Sequence, residues 1–329
     1  MENYTAPIKI NNEERTFEQN KENLQEINEE TQAAIFIHQD KFNICRAKNE
    51  LQQAQQEWDF VEDLPSEEQN VSLKFVTYEE VWEYFKKEDM KTYLKNIKPV
   101  CNRKGFSFIL HYLCGPVKMH QDLRAERNLI FAIAQCPLDC KLSFHANTLQ
   151  TIYNKLTGLP GYCRIYGNHW EDIGFQGNDP STDTRGVGFF GVLQLLYFIL
   201  NPSTSKLAMD IYRLSQDEVQ NFPFCVMSIN MTRIAIEALR EEILNKICNQ
   251  RGEVISVINE FYAGTFLYLY NKWKGEYKTI MDSGFVLKDV TLYVKKNSHK
   301  IMQNVRNYNQ KRKSSVSTDI IFSEIRSNV

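Results

Sequence analysis

Trp170-Glu171-Asp172-Ile173-Gly174-Phe175-Gln176-Gly177-Asn178-Asp179-Pro180-Ser181-Thr182-Asp183-Thr184-Arg185-Gly186, running on into VGFFGVLQLLYFIL at 187–200, joins a polar loop to the longest apolar run of the chain. That run has only Gln194 as a polar interruption. It falls short of the roughly 20 residues that span a bilayer, so it reads as a helix buried in a protein core. Before it, Trp170, Ile173 and Phe175 form an apolar anchor, and the Gly-, Pro- and Asp-rich stretch that follows is what a rigid scaffold uses to display polar groups. Asp183 or Thr184 is placed to cap the helix, and Asp179 or Asp183 to hold Arg185 by a forked ion pair. A structural arginine and a displayed one are both compatible with these residues.

Gly186-Val187-Gly188-Phe189-Phe190-Gly191 matches the spacing of a dinucleotide-binding turn. That turn needs a strand delivered against a pyrophosphate, and the residues before it here are turn-formers. The glycines are instead expected to let the start of a buried helix approach a neighbouring backbone.

Working outward, apolar residues recur at helical intervals almost everywhere, and alternating strand patterns are scarce. The spacing predicts a helix over Tyr78–Ile97, ended by Pro99, and helical segments at 105–118, 121–135, 143–157, 187–200, 204–214, 226–248, 253–273 and 276–292. The aromatic stretch Phe261–Trp273 reads as core packing. The expected fold is all-α: a single globular multi-helix domain with extensions at both ends. Residues 1–70 carry 16 acidic and 6 basic side chains and read as a polar extension with one long helix over about 16–60. Leu64-Pro65-Ser66 marks its end. Residues 71–119 read as a helical lead-in, 120–292 as the main domain, and 293–329 as a basic, flexible tail with seven Lys/Arg between Lys295 and Lys313. Such a tail suits an acidic protein surface or an anionic membrane.

Over 329 residues, 39 Lys+Arg against 41 Asp+Glu leave a net charge of −2, which supplies no global pull toward nucleic acid. The amino terminus has no basic start followed by an apolar stretch, so an intracellular, cytoplasmic location is expected. The eight cysteines lack paired short spacings and read as reduced core thiols. Cys136, Cys140, His145 and His169 could form a zinc site on paper, but the spacing is not a metal pattern and no metal is expected. Phosphate-loop, G-x-S-x-G and H-E-x-x-H runs do not occur.

The run Trp170–Phe198 closely resembles the ELMO (engulfment and cell motility) domain family. Phe222-Pro223-Phe224-Cys225-Val226-Met227-Ser228-Ile229-Asn230-Met231-Thr232 and the stretch from Asn259-Glu260-Phe261-Tyr262 to Trp273 agree with it. The similarity runs over about 120–292. It implies an all-helical ELMO domain and, for compact members, activation of GTP hydrolysis by Arf-family small GTPases, Arf or Arf-like. The arginine of the family's D-F-R-G stretch falls on Arg185, which the resemblance implies is catalytic: an arginine finger given in trans, while GTP and Mg²⁺ are carried by the partner and no cofactor is needed. Glu171, Asp172, Gln176, Asp179 and Asp183 are then candidates for touching the GTPase or orienting the loop, and Trp170, Ile173, Phe175 and Gly186 for anchoring it. Thr184 stands where the family has an aromatic and Val187 where it has methionine, which implies a less firmly packed loop. The alternative expectation is a non-catalytic ELMO-fold scaffold, tethered to a cytoskeletal or ciliary assembly through 1–70 and 293–329.

Overall fold

The structure is a computed structural model that describes residues 74–95, 97, 115–161, 163–308 and 310. All of them belong to the unit Leu73–Val329. The acidic segment 1–70 with its expected helix, most of the apolar stretch 105–118, and residues 311–329 lie outside the described residues.

Every regular element among the described residues is helical. In chain order they are α1 (Tyr78–Lys87), α2 (Lys91–Lys95), α3 (Arg124–Ile133), α4 (Ser143–Thr157), 3-10 turns at Asn168–Ile173 and Pro180–Gly186, and α5 (Gly188–Leu200). Then follow α6 (Ser205–Ser215), α7 (Phe224–Arg240), α8 (Asn245–Arg251), α9 (Ile255–Gly275), a 3-10 turn at Ile280–Asp282 and α10 (Ser283–Lys296), with a further helical stretch at 298–308.

The apolar run becomes α5, which is hydrophobic around its whole circumference and so has to be surrounded. It is: α1, α3, α4, α6, α7 and α9 all pack on it. Gln194, its one polar interruption, donates to the Ile258 carbonyl at 3.3 Å and to Asn259 Oδ1 at 3.2 Å. Asn259 in turn donates to the Tyr78 hydroxyl at 2.7 Å, so a short polar chain ties α5 to α9 and α1. Phe261, Tyr262, Phe266 and Trp273 of α9 are buried, as the aromatic stretch predicts. Phe266 stacks between Phe198 at 5.3 Å and Phe224 at 5.6 Å. The start of α9 is capped from a distance: the Glu126 carboxylate accepts the Val254 and Ile255 N–H groups, each at 3.0 Å.

Three expectations are corrected. The helix over Tyr78–Ile97 is broken, because Glu88 turns extended and the Asp89 side chain accepts the Lys91 N–H at 3.1 Å, starting a new helix. The segment 226–248 is likewise split at Glu242, whose φ of 68° ends α7. Finally, the described part of the expected tail, residues 293–308, packs on the body. Residues 298–308 are helical, and Ile301, Met302 and Val305 are buried, with the Ile301 carbonyl lying over Gly264 of α9. Two of its cations are also engaged: Lys295 with Glu237 at 2.9 Å and Glu241 at 2.8 Å, and Arg306 with Glu260 at 2.7 Å.

His145 on α4 is buried, with its ring 4.2 Å from that of Phe189. Its Nδ1 accepts the Asp139 N–H at 3.1 Å, which requires that nitrogen to be unprotonated. Burial pushes the imidazole down from 6.5 to about 4. Between those values the unfolded chain binds a proton that the folded chain refuses, so stability falls as pH drops through this window. The expected loss is about 3 kcal/mol by pH 4. Urea melts across that range should therefore show a markedly shallower pH slope for His145→Gln than for the wild type; equal slopes would assign the acid loss elsewhere.

Candidate functional site

The polar loop is built from the floor up. Trp170 is buried and donates from its indole N–H to the Ile165 carbonyl at 3.0 Å, and its ring meets Tyr153 at 5.6 Å and Phe175 at 6.1 Å, both edge-on. Ile173 and Phe175 are buried with it. The three anchor residues read from the sequence thus sit together beneath the loop.

Gly174 fixes where that floor meets the rest of the domain. Its φ of +84° is left-handed, and a Cβ placed there would lie 2.2 Å from the Phe224 nitrogen and 2.6 Å from the Pro223 carbonyl carbon. Its own carbonyl accepts the Val226 N–H at 3.0 Å, binding the loop to the first turn of α7. The segment above closes on itself, Gly167 N–H donating to the Asn178 carbonyl at 3.0 Å.

Each acidic candidate has a place. Asp179 is the N-cap of the 3-10 turn Pro180–Gly186, accepting from the Ser181 N–H at 2.9 Å. Asp183 reaches back across the loop to accept the Gln176 N–H at 2.6 Å. Burial pushes the Asp183 carboxyl above the usual carboxylate range, the Gln176 N–H opposes this, and the nearby Asp179 charge adds to it. Asp172 accepts from the Tyr153 hydroxyl at 3.2 Å, and its backbone carbonyl takes the Tyr212 hydroxyl at 3.2 Å and the Gln216 amide at 3.4 Å. Glu171 and Gln176 are exposed on the rim.

Arg185 occupies the last turn of Pro180–Gly186, just before the chain swings by 105° into α5. It is exposed, and its guanidinium makes no hydrogen bond or ion pair among the described residues. The forked pair to Asp179 or Asp183 does not form, because both carboxylates are engaged by backbone N–H groups instead. Thr184 and Val187 on either side are buried, and the Thr184 hydroxyl donates to the Ser181 carbonyl at 3.0 Å. The arginine is thus held at its root and open at its head.

Gly186 does not anchor the loop by close packing: nothing lies within 4 Å of where its Cβ would be. The tight approach is two residues later. A Cβ at Gly188 would sit 2.6 Å from the carbonyl oxygens of both Ala134 and Cys136, and Phe189 N–H donates to the latter at 2.7 Å. The sequence reading also passed over Tyr153, Tyr212 and Gln216, which hold Asp172. They come from α4, α6 and the residue after it, and no residue spacing links them to this loop.

Cys136, Cys140, His145 and His169 do not assemble as ligands: among the described residues no three His, Cys, Asp or Glu side chains converge. Burial raises the Cys140 thiol to about 11. The chemistry this site presents is a planar, permanently charged donor fork on a braced turn, suited to oxygens of a phosphoryl group or carboxylate on another molecule.

Comparison with known proteins agrees with this architecture. Residues 128–287 match the ELMO/CED-12 family. ELMO domain-containing protein 3 of Bos taurus is 46% identical over 264 residues, covering 79% of this chain and 69% of that protein. The Homo sapiens protein of the same name is 44% identical over the same length. ELMO domain-containing protein 2 of Homo sapiens is 30% identical over 156 residues, 46% of this chain and 49% of that protein. No solved structure matches. With an all-helical body, the anchored loop and this similarity over most of its length, the chain belongs to the ELMO/CED-12 family.

Proposed function

We propose that this chain is a GTPase-activating protein for an Arf-family small GTPase, Arf or Arf-like, and that Arg185 is the finger it supplies in trans. Membership of the ELMO/CED-12 family points to small-GTPase interaction in general. The observation that carries the finer reading is the exposed, uncommitted guanidinium at the end of a turn whose two acids, Asp179 and Asp183, accept backbone N–H groups.

The division of labour follows from charge. A GTPase brings its own phosphate cradle, Mg²⁺ and attacking water; what it lacks is a further cation where negative charge accumulates on the transferring phosphoryl group. Arg185 can supply two N–H donors in one plane to two oxygens there. Asp179 and Asp183 hold the turn that aims it, Asp172 fixes the loop's near edge, and Glu171 and Gln176 lie on the rim that a GTPase surface would meet. Trp170, Ile173 and Phe175 supply the rigid base that keeps the guanidinium from being repositioned at an entropic cost.

The test is single-turnover GTP hydrolysis by a panel of Arf-family GTPases with and without the full chain, repeated with Arg185→Ala. Stimulation of at least one member by the wild type, lost in the variant, is expected. Identical rates with wild type, variant and buffer across the panel would leave the non-catalytic scaffold as the reading of the fold.

A further inference from the structure

The helix α10 has two unlike faces. Val286, Val290 and Val294 are buried against the body. At about 100° per residue, Phe285 and Leu292 lie within about 20° of each other and about 150° from Val290. They are 80% and 64% exposed. The approach to the helix adds Met281 at 75% and Tyr277 at 81%. Tyr277 is held outward on a left-handed backbone, φ 50°, by the Lys278 N–H donating to the carbonyl of buried Trp273 at 2.9 Å. This left-handed residue closes the C-terminal turn of α9 and leaves the Tyr277 ring as part of the exposed apolar surface.

Two of the acidic groups around it are paired, Glu276 with Lys272 at 3.0 Å and Lys278 at 3.6 Å and Asp289 with the same Lys272 at 3.5 Å, while Asp282 accepts the Thr279 N–H at 2.9 Å and keeps its charge. Lys288 and Lys296 project from the same face of α10 as Phe285 and Leu292, are exposed, and make no ion pair among the described residues. The face therefore presents apolar and aromatic tips beside two lysines, Lys288 and Lys296, that make no ion pair among the described residues.

We propose that Tyr277, Met281, Phe285 and Leu292, framed by Lys288 and Lys296, form a peripheral docking face for an anionic lipid bilayer. Apolar and aromatic tips suit the headgroup–acyl boundary, and the lysines suit its negative surface potential. A second copy on the same face is the competing occupant, and the test distinguishes it. The inference does not depend on the GTPase reading.

The test is flotation of the full chain with phosphatidylcholine vesicles containing roughly 30 mol% phosphatidylserine, against phosphatidylcholine alone. Wild type is expected to float with the anionic vesicles and to be released by salt. The double variant Met281→Ser/Phe285→Ser is expected to bind about tenfold more weakly or worse, with an unchanged melting temperature because both side chains are exposed. Lys288→Glu/Lys296→Glu should lose the anionic preference. Failure of the wild type to float, or floating of the serine variant as well as wild type, overturns the proposal. So does a wild-type dimer in sedimentation equilibrium that the serine variant dissolves, which would make the face a self-association surface.

Discussion

Arg185→Ala is expected to lower the stimulated single-turnover rate of a responsive GTPase by roughly 10³-fold or more, the scale of a trans arginine finger. The same change should leave the melting curve almost where it was. The guanidinium is exposed and contributes no hydrogen bond or ion pair to the described fold, and surface substitutions of that kind stay within about 0.5 kcal/mol. Arg185→Lys separates charge from geometry: an ammonium retains the positive charge but cannot bridge two phosphoryl oxygens with coplanar donors. It should recover only a minor part of the loss. An alanine variant that stimulates as well as wild type would end the finger reading, whatever else the loop binds. A variant that loses activity and also melts early would show that the side chain braces the loop, contrary to its lack of internal partners.

The largest expected effect on stability belongs to a residue with no side chain. Gly174→Ala forces a Cβ to within 2.2 Å of a backbone nitrogen, at a left-handed φ, where the Trp170 platform meets α7. Backbone cannot yield as a flexible side chain would, so a loss of more than about 3 kcal/mol is expected, or failure to fold. Gly177→Ala is the control. It has nearly the same conformation, φ +74°, but nothing within 4 Å of the new methyl. It should cost only about 1 to 2 kcal/mol, the left-handed penalty alone. Urea denaturation of the two variants side by side isolates the close approach; equal losses would mean that the loop and α7 can move apart freely.

Much of this architecture is legible from residue order because local preference and burial point the same way. Ser143–Thr157 shows its helical period and is followed by Gly158 at φ 72°, so both the element and its end could be read. The apolar run at 188–200 declared itself buried, since no single exposed face remained for water. Breaks were harder. Nothing in the spacing of Phe85, Met90 and Leu94 shows that Asp89 will leave its place in a helix to cap the next one. Residues 298–308 look polar and basic, yet Ile301, Met302 and Val305 are placed to meet α9, and only the position of α9 makes that burial available.

At the loop, the anchor residues were readable because Trp170, Ile173 and Phe175 have no other use in so polar a neighbourhood. The partners of the carboxylates were not. Several acids and one arginine within a few residues suggest ion pairing, whereas Asp179 takes the Ser181 N–H that a short 3-10 turn leaves without a carbonyl partner, and Asp183 takes the Gln176 N–H of the loop before it. Which way such a choice falls depends on how the backbone has already folded.

The burial of Ile301, Met302 and Val305 governs how this domain can be cut for expression. A fragment ended at residue 287, where the family match stops, would strip the covering from α9 and expose a strip of aliphatic surface that promotes aggregation. Fragments carried through residue 308 keep that covering, so the practical carboxyl border of the folded unit lies a full helix beyond the border that similarity alone would suggest.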